Sequence, residues 1–127
     1  NSKMPGWVIS EILKKKKIKK VLIIGVAYKK ELDDTRESPS IEFIKILKNK
    51  KIKVDYHDPY VKKLKSRKLD RIYISKKINS NIIKKYDCVI ILTNHSNINY
   101  KIIKKYSKFI VDTRNVYKKE TDKILKL

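Results

Sequence analysis

Three short apolar runs limit the folds open to this chain: VLII at 21–24, CVIIL at 88–92 and FIV at 109–111. Each is short for a helix and lacks the polar positions that mark a solvent-facing side. Runs of this kind read as strands buried on both faces, the condition of a central strand in a parallel sheet. Between them the spacing turns helical, with Ile41, Ile44 and Leu47 forming an apolar face flanked by Phe43 and Ile46. Strands alternating with helices predict an α/β fold, a Rossmann-like doubly wound parallel sheet in three layers. In such sheets ligands sit beyond the carboxyl ends of the strands. The chemistry is therefore expected at residues 25–30, 93–95 and 112–115.

The remaining segments fit that frame. Met4-Pro5 followed by Trp7, Val8, Ile9, Ile12 and Leu13 predicts an N-terminal helix with Pro5 in its first turn. It leads into KKKKIKK at 14–20, expected to be a surface linker. Ser38 suits the N-cap and Pro39 the first position of a second helix, which should end near Asn49. Residues 51–56 alternate as a strand closed by Asp58-Pro59. A short strand at 71–75, a short helix at 79–86 and a helix at 96–106 follow. Residues 60–71 are polar and give no assignment. The tail from Lys118 is expected to be helical.

A length of 127 residues suits one domain. The net charge of +21 raises nucleic-acid binding as a reading. The kind of charge argues otherwise. Of 34 basic residues only Arg36, Arg67, Arg71 and Arg114 are arginine. Isoleucine dominates the apolar set, Ala27 is the only alanine, and Gly6 and Gly25 are the only glycines. This is the bias of an AT-rich coding sequence, and it reads as drift on solvated faces. Nucleic-acid platforms cluster their charge and interleave aromatics with it, whereas these lysines are spread end to end. A basic nucleic-acid-binding module is the alternative reading. Cys88, the only cysteine, excludes a disulfide framework and a Cys-based zinc site. Inside a buried strand it reads as an inert small hydrophobe. A cytoplasmic setting is expected. No apolar run approaches the ~18 residues of a membrane span, and NSKMPGWVIS lacks the pattern of a signal peptide. The chain does not begin with Met and is expected to be part of something longer.

The stretch VLIIGVAYKKELDDTRESPS at 21–40 gathers residue types that the chain otherwise avoids. It is not a dinucleotide fingerprint, which needs several glycines where this chain has Gly25, Val26 and Ala27. Small residues at Gly25 and Ala27 indicate either close approach of a ligand or a packing constraint. Tyr28 at the strand exit can wall off a ring, and Lys29 can hold a phosphate as a point charge. Arg36 and Arg114 follow predicted strands and offer the planar fork that binds phosphate or carboxylate bidentately. Asp33 and Asp34 are placed to orient Arg36 or Lys30, or to form a turn. Arg67 and Arg71 support no such reading. His57 is more readily a turn cap than a general base. His95 sits at a strand's carboxyl end with no partner at a readable spacing.

Taken in order, GVAYKKELDDTRESPS, YHDPYV, DCVIILTNHS and FIVDTRNV resemble the C-terminal domain of the nucleotide-sugar 6-dehydrogenases, the UDP-glucose/GDP-mannose dehydrogenase family. Their form is most similar to the UDP-N-acetylglucosamine and UDP-N-acetylmannosamine branch. The resemblance implies a UDP-sugar binding domain at 21–127, preceded at 1–20 by the end of a central helical dimerisation domain and a linker. It implies an intact, homodimeric enzyme of polysaccharide biosynthesis. That enzyme oxidises a sugar C6 alcohol to a carboxylate in two NAD-dependent steps through a catalytic cysteine. Tyr28, Lys29 and Arg114 would meet the UDP-sugar, and Arg36 would reach NAD, which is held mainly by another domain. No metal is implied, and neither a specific nucleic acid nor a membrane is an expected partner. The glycine-flanked cysteine and the Rossmann glycines have no counterpart here, so this stretch alone should not catalyse the oxidation. The chain is also expected to stop before the family's final strand. A non-catalytic remnant of the dehydrogenase is a further alternative.

Overall fold

The computed structural model describes residues 3–36 and 38–127. Residues 1 and 2 of the expected 1–20 segment, and residue 37, lie outside the described residues. The elements in chain order are α1 (Met4–Lys15), β1 (Lys20–Ile24), α2 (Ser40–Asn49), β2 (Lys53–His57), β3 (Lys63–Leu64), β4 (Tyr73–Ile74), α3 (Ser80–Ile83), β5 (Cys88–Ile91), α4 (Tyr100–Tyr106), β6 (Ile110–Asp112) and β7 (Ile124–Lys126). Five strands form one sheet in the order β2-β1-β5-β6-β7, every pair parallel. The three apolar runs supply its middle, β1, β5 and β6.

Alternation along the strands builds two cores. Val21, Ile23, Val54, Tyr56, Cys88, Ile90, Val111 and Leu125 share one with Val8, Ile9 and Ile12 of α1 and with Phe43, Ile44 and Leu47 of α2. Leu22, Ile24, Val89, Ile91, Ile110 and Ile124 face the other way, onto Ile83 of α3 and Ile103 of α4. Fully burying each such side chain contributes roughly 1.5–3 kcal/mol, so the double-faced strands carry much of the fold. The chain leaves β1 over the α1/α2 face to reach β2. It returns past β1 to β5 and continues on the α3/α4 face. The strand order therefore reverses between β1 and β5, and the crevice for ligands in such sheets lies there, at the carboxyl ends.

Three expectations are corrected. The tail is not helical: Ile124–Lys126 pair parallel with Ile110–Asp112. Ile124 and Leu125 enter opposite cores, which strand alternation satisfies and a helix would not. A strand thus lies beyond β6, where the sheet was expected to end. The lysine run at 14–20 is more than a surface linker. α1 continues to Lys15, Ile18 is buried, Lys20 opens β1, and the Lys19 and Lys20 N–H groups donate to Asp87 Oδ2 at 2.8 and 3.0 Å. β3 lies in the unassigned segment and pairs antiparallel with β4, which falls within the short strand expected at 71–75. α2 is assigned from Ser40, but Pro39 already has helical angles and its carbonyl accepts from Phe43 N–H. The Ser38 hydroxyl accepts from Ser40 N–H, as a cap would.

Gly25 is where β1 and β5 come together. Its φ is +87°, and an added Cβ would lie 2.5 Å from Thr93 Cβ and 2.9 Å from Thr93 backbone N and O. The packing reading of this glycine holds, the neighbour being the loop after β5. Gly25→Ala combines a clash against backbone with a left-handed φ and should lower the unfolding free energy by about 3 kcal/mol. Urea denaturation checks this, with Gly6→Ala, where nothing lies within 4 Å of the added Cβ, as the reference.

Candidate functional site

At the carboxyl edge one buried carboxylate ties three strands together. Asp58, just past β2, is 1% exposed. Its Oδ2 accepts from Val26 N–H at 2.8 Å and Ala27 N–H at 3.0 Å, both in the β1 exit, and lies 3.1 Å from His95 Nε2 beyond β5. Its Oδ1 accepts from Tyr60 N–H at 2.8 Å. His95 is fully buried, and its Nδ1 accepts from Glu31 N–H at 2.8 Å. An imidazole that accepts through Nδ1 carries its proton on Nε2, so His95 donates to Asp58. Thr93 Oγ1 completes the junction by donating to the Ala27 carbonyl at 2.8 Å. The N–H and the carbonyl of Ala27 are thus each held by a side chain, and its own methyl is buried in the core.

The loop after β1 leaves this junction. Tyr28, Lys29 and Lys30 are exposed, and Lys29 Nζ lies 5.8 Å from the Tyr28 ring centroid. Tyr28 N–H donates to the Asp34 carbonyl. Asp34 takes the Arg36 fork, Nε at 3.0 Å and Nη2 at 2.9 Å, and that bidentate contact draws its carboxyl down to about 2. Of the two carboxylates expected to orient Arg36, Asp34 does so. The guanidinium stays at the surface.

A second buried carboxylate organises the loop after β6. Asp112 Oδ1 accepts from the N–H groups of Arg114 and Val116 at 3.0 and 3.1 Å, and Oδ2 from Tyr117 N–H at 2.9 Å. Arg114 is exposed and lines a hollow of about 420 Å³ with Asp112, Thr113, Asn115, Lys126 and Leu127. Lys126, on β7, bonds through Nζ to Asn115 Oδ1 and the Tyr117 carbonyl. The β1 and β6 loops leave the same edge of the sheet, separated by β5, hence by two strand spacings or about 10 Å. A larger hollow of about 650 Å³, lined by Lys15, Lys16, Phe109 and Glu120–Asp122 among others, lies at the opposite edge, before β6 and β7.

The remaining candidates fall outside the crevice. His57 Nδ1 lies 2.6 Å from the Lys76 carbonyl, and burial lowers the pKa of its ring. It joins β2 to the segment after β4, a cap rather than a base. Cys88 is fully buried in β5, and burial pushes its thiol up. Arg71 stacks on Tyr73 at 3.8 Å. Among the described residues no group of three or more His, Cys, Asp or Glu could hold a metal ion, and no helix is long and apolar enough to cross a membrane.

Residues 22–119 match the model of the UDP-glucose/GDP-mannose dehydrogenase family, UDP binding domain. The chain belongs to that family. It is 32% identical over 131 residues to the UDP-N-acetyl-D-mannosamine dehydrogenase of Methanococcus vannielii, covering 91% of this chain and 28% of that protein. It is also 32% identical over 115 residues to the UDP-glucose 6-dehydrogenase of Rickettsia conorii, covering 83% and 26%. The solved UDP-N-acetyl-mannosamine dehydrogenase of Staphylococcus aureus superposes with a TM-score of 0.70 at 31% identity, covering 99% of this chain and 30% of that one. The chain thus spans under a third of the length of these relatives.

For this UDP binding domain the fit of NAD can be judged at the β1 exit. There a dinucleotide fingerprint would bring a pyrophosphate against glycine backbone. Thr93 fills that space, and the Val26 and Ala27 N–H groups are spent on Asp58. The residues of the β1 exit do not fit a pyrophosphate held in that manner.

Asp58 and its pairing with His95 escaped the sequence reading because the partners stand 37 positions apart. Only the YHDP motif marked the place, and it read as a turn. Asp58→Asn removes the charge from four hydrogen bonds and should lower the unfolding free energy by about 3 kcal/mol or more in urea denaturation, against a negligible change for exposed Asp122→Asn. Cys88 should resist a thiol-disulfide reagent in the native protein and react fully only in denaturant.

Proposed function

We propose that this domain supplies the nucleotide half of the substrate site in an NAD-dependent UDP-sugar 6-dehydrogenase, with Lys29 and Arg114 gripping the diphosphate and Tyr28 walling the nucleotide. The observation that carries this reading is the placement of both cations on loops leaving one carboxyl edge. Each loop is pinned at its root by a buried aspartate while its side chains face solvent. An anchored backbone bearing an exposed cation suits a charged ligand, since little order remains to be imposed on binding. Family membership makes UDP the ligand this edge is expected to meet, and the names of the relatives point to UDP-linked hexoses and N-acetylhexosamines.

The redox chemistry is assigned to the rest of the dehydrogenase. NAD would be held there, with Arg36 facing it from the surface of this domain. The bound dinucleotide would take hydride from the sugar in each oxidation. Residues 1–20 are read as the end of a central helical domain and its linker, and the intact enzyme as a cytoplasmic homodimer. This chain's own part is to bind and orient the UDP moiety.

Two charge-assisted contacts of roughly 1.5–3 kcal/mol each give weak to moderate affinity for UDP alone. In isothermal titration, Lys29→Ala and Arg114→Ala should each weaken UDP binding about tenfold or more. Lys68→Ala, in the β3–β4 segment, should leave it unchanged. Wild-type affinity in both of the first two variants would remove the phosphate-gripping assignment.

A further inference from the structure

We propose that His95 is a positioning residue, a latch that holds the β1 loop in the conformation presenting Tyr28 and Lys29. The inference rests on the reading that these two side chains meet UDP. Every residue from Tyr28 to Asp33 is exposed, so no buried apolar side chain anchors this stretch. Yet Glu31 sits at φ +62°, a left-handed backbone that non-glycine residues adopt only when their surroundings hold them there. What holds it comes from the loop after β5. His95 Nδ1 takes its N–H at 2.8 Å, and Glu31 Oε1 takes the Ser96 N–H at 3.3 Å and the Ser96 hydroxyl.

His95 is built for this contact. Asp58 fixes the proton on Nε2 and so leaves the Nδ1 lone pair for Glu31. The Tyr60 ring tilts against the imidazole with centroids 4.9 Å apart. The backbone N–H of His95 donates to the Tyr100 hydroxyl at 3.0 Å. The ring is therefore held on each side, and its one acceptor points at the one residue of 28–33 with a left-handed backbone. Nothing in the packing of the sheet needs that acceptor, because Asp58 and Thr93 already bind the β1 exit one turn earlier, at Val26 and Ala27.

Two substitutions separate the acceptor from the rest of the ring. His95→Asn keeps an oxygen near the Nδ1 position. His95→Gln keeps an amide near Nε2, toward Asp58, and loses the acceptor for Glu31. The readouts are amide exchange at Glu31 in the ligand-free 127-residue chain and the affinity for UDP-N-acetylglucosamine. The Gln variant should lose Glu31 protection and ligand affinity by about tenfold each, and the Asn variant should retain both within about threefold. Wild-type protection in the Gln variant, or equal losses in the two variants, would overturn the latch. Should neither variant fold, nitrogen NMR of the wild-type imidazole decides. An unprotonated Nδ1 coupled across the hydrogen bond to the Glu31 amide supports the latch, and a protonated Nδ1 overturns it. Lys29→Ala keeps the two readings apart. If it leaves affinity unchanged while His95→Gln still opens Glu31, the UDP assignment fails and the latch stands. If it weakens binding while the Gln variant behaves as wild type, only the latch fails.

Discussion

A carboxylate taken out of water must find donors for its oxygens or lose much of its solvation energy. Asp58 meets that demand with two backbone N–H groups from the β1 exit, one from its own turn, and the imidazole of His95. The consequence is geometric. Strands β2, β1 and β5 are adjacent in the sheet, and their carboxyl ends cannot drift apart without stranding a buried charge. The close approach of Gly25 to Thr93 and the root of the Tyr28 loop lie at that one junction, beside the switch point of the sheet.

Asp112 repeats the device two strands away, gathering the N–H groups of Arg114, Val116 and Tyr117. The domain thus uses its few buried acids as anchors and leaves its basic residues outside. Exposed lysines leave both faces and both edges of the sheet. Several lie beside aromatic rings, such as Lys16 at 5.5 Å from Phe109 and Lys84 at 5.1 Å from Tyr106. Such contacts are worth about 0.5–1 kcal/mol at exposed sites, a local use of charge that needs no polyanionic partner.

The central strands and the main helices were legible because burial on both faces and the 3.6-residue period leave direct marks on a sequence. β7 was not legible. Three residues pair with a single neighbouring strand, and Ile124, Leu125 and Leu127 fit a helix as well as a strand until the sheet edge is known. β3 was missed for a related reason, since a two-residue strand carries no period, although its partner β4 falls within the short strand expected at 71–75. Among the candidate residues, Arg36 and Arg114 stood out as exceptions to a lysine-rich composition, whereas Tyr28 and Lys29 were marked only by their place at a strand exit. Asp58 and His95 did not stand out. A buried acid and a buried histidine acquire meaning only from their partners, and those are brought together by β1 lying between β2 and β5.

Ligand binding at the carboxyl edge, which the two aspartates organise, is decided by backbone amide shifts recorded while UDP is added to the 15N-labelled chain. The perturbations should concentrate at residues 26–31, 93–96 and 113–117. Perturbations centred instead on Lys15, Lys16, Phe109 and Glu120–Asp122, around the larger hollow at the amino edge, would contradict it.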